Sequence, residues 1–110
     1  MKNLRMRSYK LVDKVPVPCS PEESMRSERR VDYTTFDGDI TVSTVFLQLD
    51  HSFGDEEPVL FETLVFGGPH DGYMQRYHTW DEAMNGHKEV CYLINKVMID
   101  RNNKLDNLGI

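Results

Sequence analysis

The chain has 110 residues, 39% apolar and 28% charged, which suits one globular domain with a single core that needs neither metal nor disulfide support. Its net charge of −5 is unevenly placed: residues 1–31 hold eight Lys/Arg and four Asp/Glu, residues 32–75 hold nine Asp/Glu and no Lys/Arg, and residues 76–110 hold five of each. No run reaches the ~18 apolar residues of a membrane span, the basic N-terminus lacks the apolar stretch of a secretory signal, and the acidic middle argues against nucleic acid as a partner.

Residues 1–29 read as a basic, partly extended N-terminal segment. Ser8–Val12 is a short extended stretch, and Pro16 and Pro18 keep VPVPC extended by fixing φ and removing backbone donors. Ser20-Pro21-Glu22-Glu23 has the form of a helix start, with Ser20 as N-cap and Pro21 in the first turn. The helix expected over 21–29 is short and almost wholly polar, and such a helix is marginal alone. Cys19 and Cys91 are expected to be free thiols in a reducing compartment.

An antiparallel sheet is expected over residues 30–78. Arg30–Phe36 reads as a strand, and Asp37-Gly38 signals a type I′ hairpin turn into a second strand running to Asp50. Ile40–Phe66 is the richest apolar region, two β-branched and aromatic runs around the polar loop HSFGDEEP. Ile40, Val42 and Phe46 share one face of the second strand. Phe61 and Val65 oppose Leu60, Leu64 and Phe66 in the third. Apolar residues on both faces predict that both are covered, one by a helix and the other by the N-terminal segment or a second subunit. The loop GGPHDG is a turn, since it lacks the Lys-Ser/Thr and helix start of a phosphate cradle. Tyr73–His78 is a fourth strand.

Thr79 followed by Glu82 is a capping box. It opens a helix over 79–98 whose apolar face holds Trp80, Ala83, Met84, His87, Val90, Cys91, Ile94 and Val97. Residues 99–110 read as a polar tail. The fold class is therefore α+β: a sheet of about four strands in meander order with the C-terminal helix packed on one face.

The residues with chemical capacity are few. His87 and Cys91 are one helical turn apart, but no further ligands complete a metal site, and no metal or cofactor is expected. Glu62 interrupts an apolar strand and needs a partner if buried, for which Arg76 on the next strand is the cross-strand candidate. A Glu62–His87 pair is the best acid–base couple available. Asp50 and His51 open the long loop at a strand end, where polar residues line sites or cap turns. There is no GxSxG or paired-carboxylate signature, so no residue is assigned a catalytic role and no enzyme is expected.

Taken in order, YKLVDKVPVPC, RRVDYTTFDGDITVSTVFLQLDHSFG, PVLFETLVFGG and RYHTWDEAMNGH resemble a family of small phage and prophage proteins. That family carries VSTVFLxLDHxFG, FETxVF and YxTxxEAxxGH-like blocks, and the likeness covers roughly residues 9–94. It implies phage origin and residence in the host bacterial cytoplasm, and it brings no catalytic residues. The family carries a longer, aromatic-containing helix after the PVPC segment, where this chain has only SPEESMRSE. The function expected is that of a non-enzymatic accessory protein that binds a host protein, inhibition of a bacterial defence system being one form. One alternative is a binder of a small ligand such as a nucleotide signal, contacted by Asp50, His51, Glu62, Arg76, Tyr77, Trp80 and His87. Another is a minor virion or assembly protein. A homodimer would cover the second sheet face.

Overall fold

The computed structural model describes residues 7–37, 39–53 and 56–107, the last eleven of these as backbone only. The elements in order are β1 (Tyr9–Val12), β2 (Val15–Pro18), α1 (Pro21–Met25), β3 (Arg30–Phe36), β4 (Ile40–Phe46), β5 (Phe61–Phe66), β6 (Met74–Tyr77) and α2 (Trp80–Asn107). Strands β3 to β6 form one antiparallel sheet in meander order, and β1 and β2 form a separate two-stranded hairpin. The expected α+β architecture is present, with α2 lying across one face of the four-stranded sheet.

Burial alternates strictly along β4. Ile40, Val42, Thr44 and Phe46 face α2, and Thr41, Ser43 and Val45 face away. Phe61, Thr63 and Val65 of β5 join the covered face. The covered side holds two apolar clusters. Tyr9, Phe46, Leu60, Phe61, Tyr77 and Ala83 form one, with Leu11, Val31 and Trp80 against it. Ile40, Val42, Val65, Val90 and Ile94 form the other, with Phe36 and Cys91 at its margin.

Several expectations are corrected. The N-terminal segment is folded back as the β1–β2 hairpin, whose turn uses Asp13 (φ 51°) and Lys14 (φ 70°). This is the positive-φ pair of a type I′ turn built without glycine, so no turn signal marked it. The hairpin does not cover the second sheet face, because Tyr9 enters the cluster on the α2 side. Strand β4 ends at Phe46 rather than Asp50. Gln48 turns there with φ 71°, its carbonyl accepting from Tyr9 N–H and its Nε2 donating to Ser24 O. Phe36 pairs with Ile40, which leaves three residues in the β3–β4 turn instead of two.

Helix α1 is shorter than expected and is capped as the sequence implies, Ser20 Oγ accepting from Glu23 N–H. The capping box of α2 also forms, with Glu82 N–H donating to Thr79 Oγ1 and Thr79 N–H to Glu82 Oε1. That helix continues to Asn107, so residues 99–107 are helical rather than a tail, and residues 108–110 lie outside the described residues. The 28 residues of α2 span about 42 Å at 1.5 Å per residue, longer than any strand beneath it. Among the described residues no helix is long and apolar enough to cross a membrane. Both cysteines are free thiols.

Candidate functional site

A polar seam separates the two apolar clusters beneath α2. At its centre is His87, only 2% exposed. Its Nδ1 lies 2.7 Å from Thr44 Oγ1 on β4, and its Nε2 lies 2.9 Å from Thr34 Oγ1 on β3. Thr44 Oγ1 is hydrogen-bonded to Thr63 Oγ1 on β5, which also accepts from Tyr77 OH at 3.1 Å on β6. One chain of hydroxyls and one imidazole thus crosses all four strands.

Asp32 Oδ2 is 3.7 Å from His87 Nε2 and favours the tautomer with its proton there. Donation then runs in one direction, Tyr77 to Thr63 to Thr44 to His87 Nδ1, with His87 Nε2–H donating to Thr34. Burial pushes the imidazole below its ordinary pKa against the opposing pull of Asp32, so the ring is neutral at pH 7. Burial likewise raises the Tyr77 phenol, partly offset by its bond to Thr63, and raises the Cys91 thiol. Apart from the Asp32 carboxylate at its margin, the seam therefore holds neutral hydrogen-bonded groups, and among the described residues no buried side-chain polar atom lacks a partner.

The seam also explains Gly86. A Cβ at this position would collide with the hydroxyl and ring of Tyr77. Helix and sheet approach here closely enough for the tyrosine to lie against bare helix backbone, the close approach that an otherwise costly helical glycine implies.

The seven residues marked in the sequence do not converge. Glu62 points away from α2 and pairs with Arg76 Nε at 3.0 Å, in the cross-strand register expected. His87 is on the opposite face, so the Glu62–His87 couple does not form, and the carboxylate beside the imidazole is Asp32. Asp50 Oδ1 accepts from Ser52 and Val59 N–H. Burial alone would raise that carboxyl, but these amides outweigh it and hold it below its ordinary range. His51 N–H donates to Val59 O, which closes the base of the loop. Trp80 meets Phe61 edge-on with centroids 6.4 Å apart, and Lys14 Nζ lies 5.7 Å over its ring. Among the described residues no cluster of three or more His, Cys, Asp and Glu side chains is placed to hold a metal ion.

The residues that complete the seam, Asp32, Thr34, Thr44 and Thr63, carry no motif. The signal for Thr44 and Thr63 was their place in the alternation, in phase with Val42 and Phe46 and with Phe61 and Val65.

Two surfaces remain. A shallow groove of about 430 Å³ between β1 and α1 is lined by Lys10, Leu11, Glu23, Arg26, Ser27 and Glu28. Its wall includes the Lys10–Glu23 ion pair at 2.6 Å. The second is the sheet face away from α2. Tyr33 (48% exposed), Phe66 (50%) and Met74 (47%) stand on it, with Leu64 half-buried between them. Tyr33, Ser43, Leu64 and Met74 form one row across the four strands. No protein-family model matches the chain, and neither a curated protein nor a solved structure matches it.

Proposed function

We propose that the chain is a small non-enzymatic accessory protein, of phage or prophage origin, that acts in the host bacterial cytoplasm by binding a host protein through the uncovered face of its sheet. The observation that carries this reading is the contrast between the two faces. On the α2 side the reactive groups are committed to one another: His87 uses both ring nitrogens. On the other side Tyr33, Phe66 and Met74 are displayed on the sheet surface, with the Glu62–Arg76 pair at one end. Exposed aromatic and thioether side chains on a rigid element are the usual anchors of protein interfaces. The exposed Asp37, Asp39 and Asp71 lie in the turns at the far end of this face and suit a basic partner surface. Inhibition of a bacterial defence system is one form such binding takes.

The test is affinity capture from bacterial host lysate, followed by binding of the purified partner to the wild-type chain and to Tyr33→Ala/Phe66→Ala. Loss of two exposed anchors is expected to weaken binding by roughly 10- to 100-fold with the circular dichroism spectrum unchanged. Full affinity in the double variant, or no captured protein that rebinds when purified, sinks the proposal.

A further inference from the structure

Strands β1, β2, β3 and β6 each have an outer edge, and the chain itself obstructs three of the four. Along β1, Tyr9 N–H donates to Gln48 O, Tyr9 O accepts from Ser24 Oγ, and Leu11 N–H donates to Ser27 Oγ. Along β2, pairing with β1 turns residues 16 and 18 outward, and both are prolines with no N–H to offer. Along β3, Asp32 Oδ1 caps the outward amide of Tyr33 at 2.8 Å, and the irregularity between Arg30 and Asp32 interrupts the run.

Among the described residues, strand β6 has none of these devices. Val65 N–H donates to Tyr73 O and Leu60 N–H to Tyr77 O, so the backbone groups of residues 73, 75 and 77 face β5. Those of Met74 and Arg76 therefore face outward. Met74, Gln75 and Arg76 are all exposed.

We infer that the β6 edge pairs antiparallel with β6 of a second copy of this chain, joining two four-stranded sheets into one of eight strands. The strand complements itself. A two-fold axis through Gln75 sets Met74 opposite Arg76 of the second copy and Arg76 opposite Met74. The outward N–H and C=O groups of both residues then form four backbone hydrogen bonds. At the axis the uncharged Gln75 amide meets its own counterpart. Arg76 brings no uncompensated charge, because Glu62 already holds it at 3.0 Å. The pairing lays the two uncovered faces side by side, the Tyr33-to-Met74 row of one copy running into the row of the other copy that holds its Arg76 and Glu62. It does not depend on the host-protein reading, since that reading needs only one face.

Sedimentation velocity over a concentration series of the full chain tests the pairing. The wild type is expected to pass from monomer to dimer as concentration rises. Met74→Pro removes an outward N–H while keeping the ladder to β5, and should weaken association by roughly 10- to 100-fold, two hydrogen bonds being lost per dimer. Gln75→Lys places two like charges at the axis, and its loss of association should be relieved by salt. An unchanged circular dichroism spectrum confirms that each variant is folded. A wild type that stays monomeric at millimolar concentration, or a dimer untouched by Met74→Pro, overturns the inference. So does a monomeric wild type whose capture of a host protein is abolished by Met74→Pro but kept by Met74→Ala, which assigns the edge to a foreign strand and leaves the host-binding reading standing.

Discussion

At the scale of single residues, His87 decides the chemistry of the covered face. Protonation adds a donor at Nδ1, where Thr44 now donates, and the hydroxyl chain must reverse to accept it. Reversal leaves the buried Tyr77 OH without its acceptor, Thr63. The lowered pKa gives the sign of the resulting pH dependence. Between the ordinary histidine value of 6.5 and the lower folded value, the unfolded chain binds the extra proton and the folded chain does not. This contribution to stability is complete above pH 6.5 and is lost as pH falls toward and through the folded value. Asp50, also lowered, acts in a separate window below the ordinary carboxylate value of 3.8. Urea midpoints should therefore fall between pH 7 and pH 5 in the wild type. In His87→Gln that slope should flatten, with stability at pH 7 about 1–3 kcal/mol lower from hydroxyls left unpaired. An unchanged slope in the variant would place the titration elsewhere.

At the scale of elements, α2 sits where Gly86 lets it sit. Two effects of Gly86→Ala oppose each other. Helix propensity favours alanine by about 1 kcal/mol, while forcing a methyl into a filled space costs about 1–3 kcal/mol. The neighbour is the ring of Tyr77, itself buried and tied to Thr63, so it has little room to retreat. The collision should win, and Gly86→Ala is expected to lower unfolding free energy by up to about 2 kcal/mol in urea titration. A stabilised variant would show that the helix–sheet spacing is not set here. The same elements show what a sequence can disclose. The meander, the capping box and the Glu62–Arg76 register rest on local alternation and spacing, and all three were legible. The end of β4 at Gln48 was not, because it is imposed by long-range bonds to Tyr9 and Ser24. The seam was hidden for a related reason: a buried threonine reads as an ordinary strand residue until a histidine 43 positions away is placed against it.

At the scale of the whole molecule, the N-terminal residues read as cover for a core made elsewhere, and the fold makes them part of that core. Tyr9 is buried among Phe46, Phe61 and Ala83, so one side chain of the separate hairpin fastens it to sheet and helix at once. Basic composition and two prolines concealed this, since neither betrays a turn at Asp13-Lys14. If the hairpin is integral, removing its anchor must leave a cavity at the junction of β4, β5 and α2. Tyr9→Ala is then expected to cost about 3–5 kcal/mol, a large share of the 5–15 kcal/mol that typically holds a domain together. Trp80, packed on Phe61 in the same cluster, should report the loss as an earlier fluorescence transition. Val15, on the same hairpin and 59% exposed, supplies the control, and Val15→Ala should stay within about 0.5 kcal/mol of wild type. Equal effects at the two positions would mean that the hairpin is surface trim. A large effect at Tyr9 alone would mean that the sheet folds only with its N-terminal hairpin in place, and that truncations of this segment remove the scaffold behind the uncovered face.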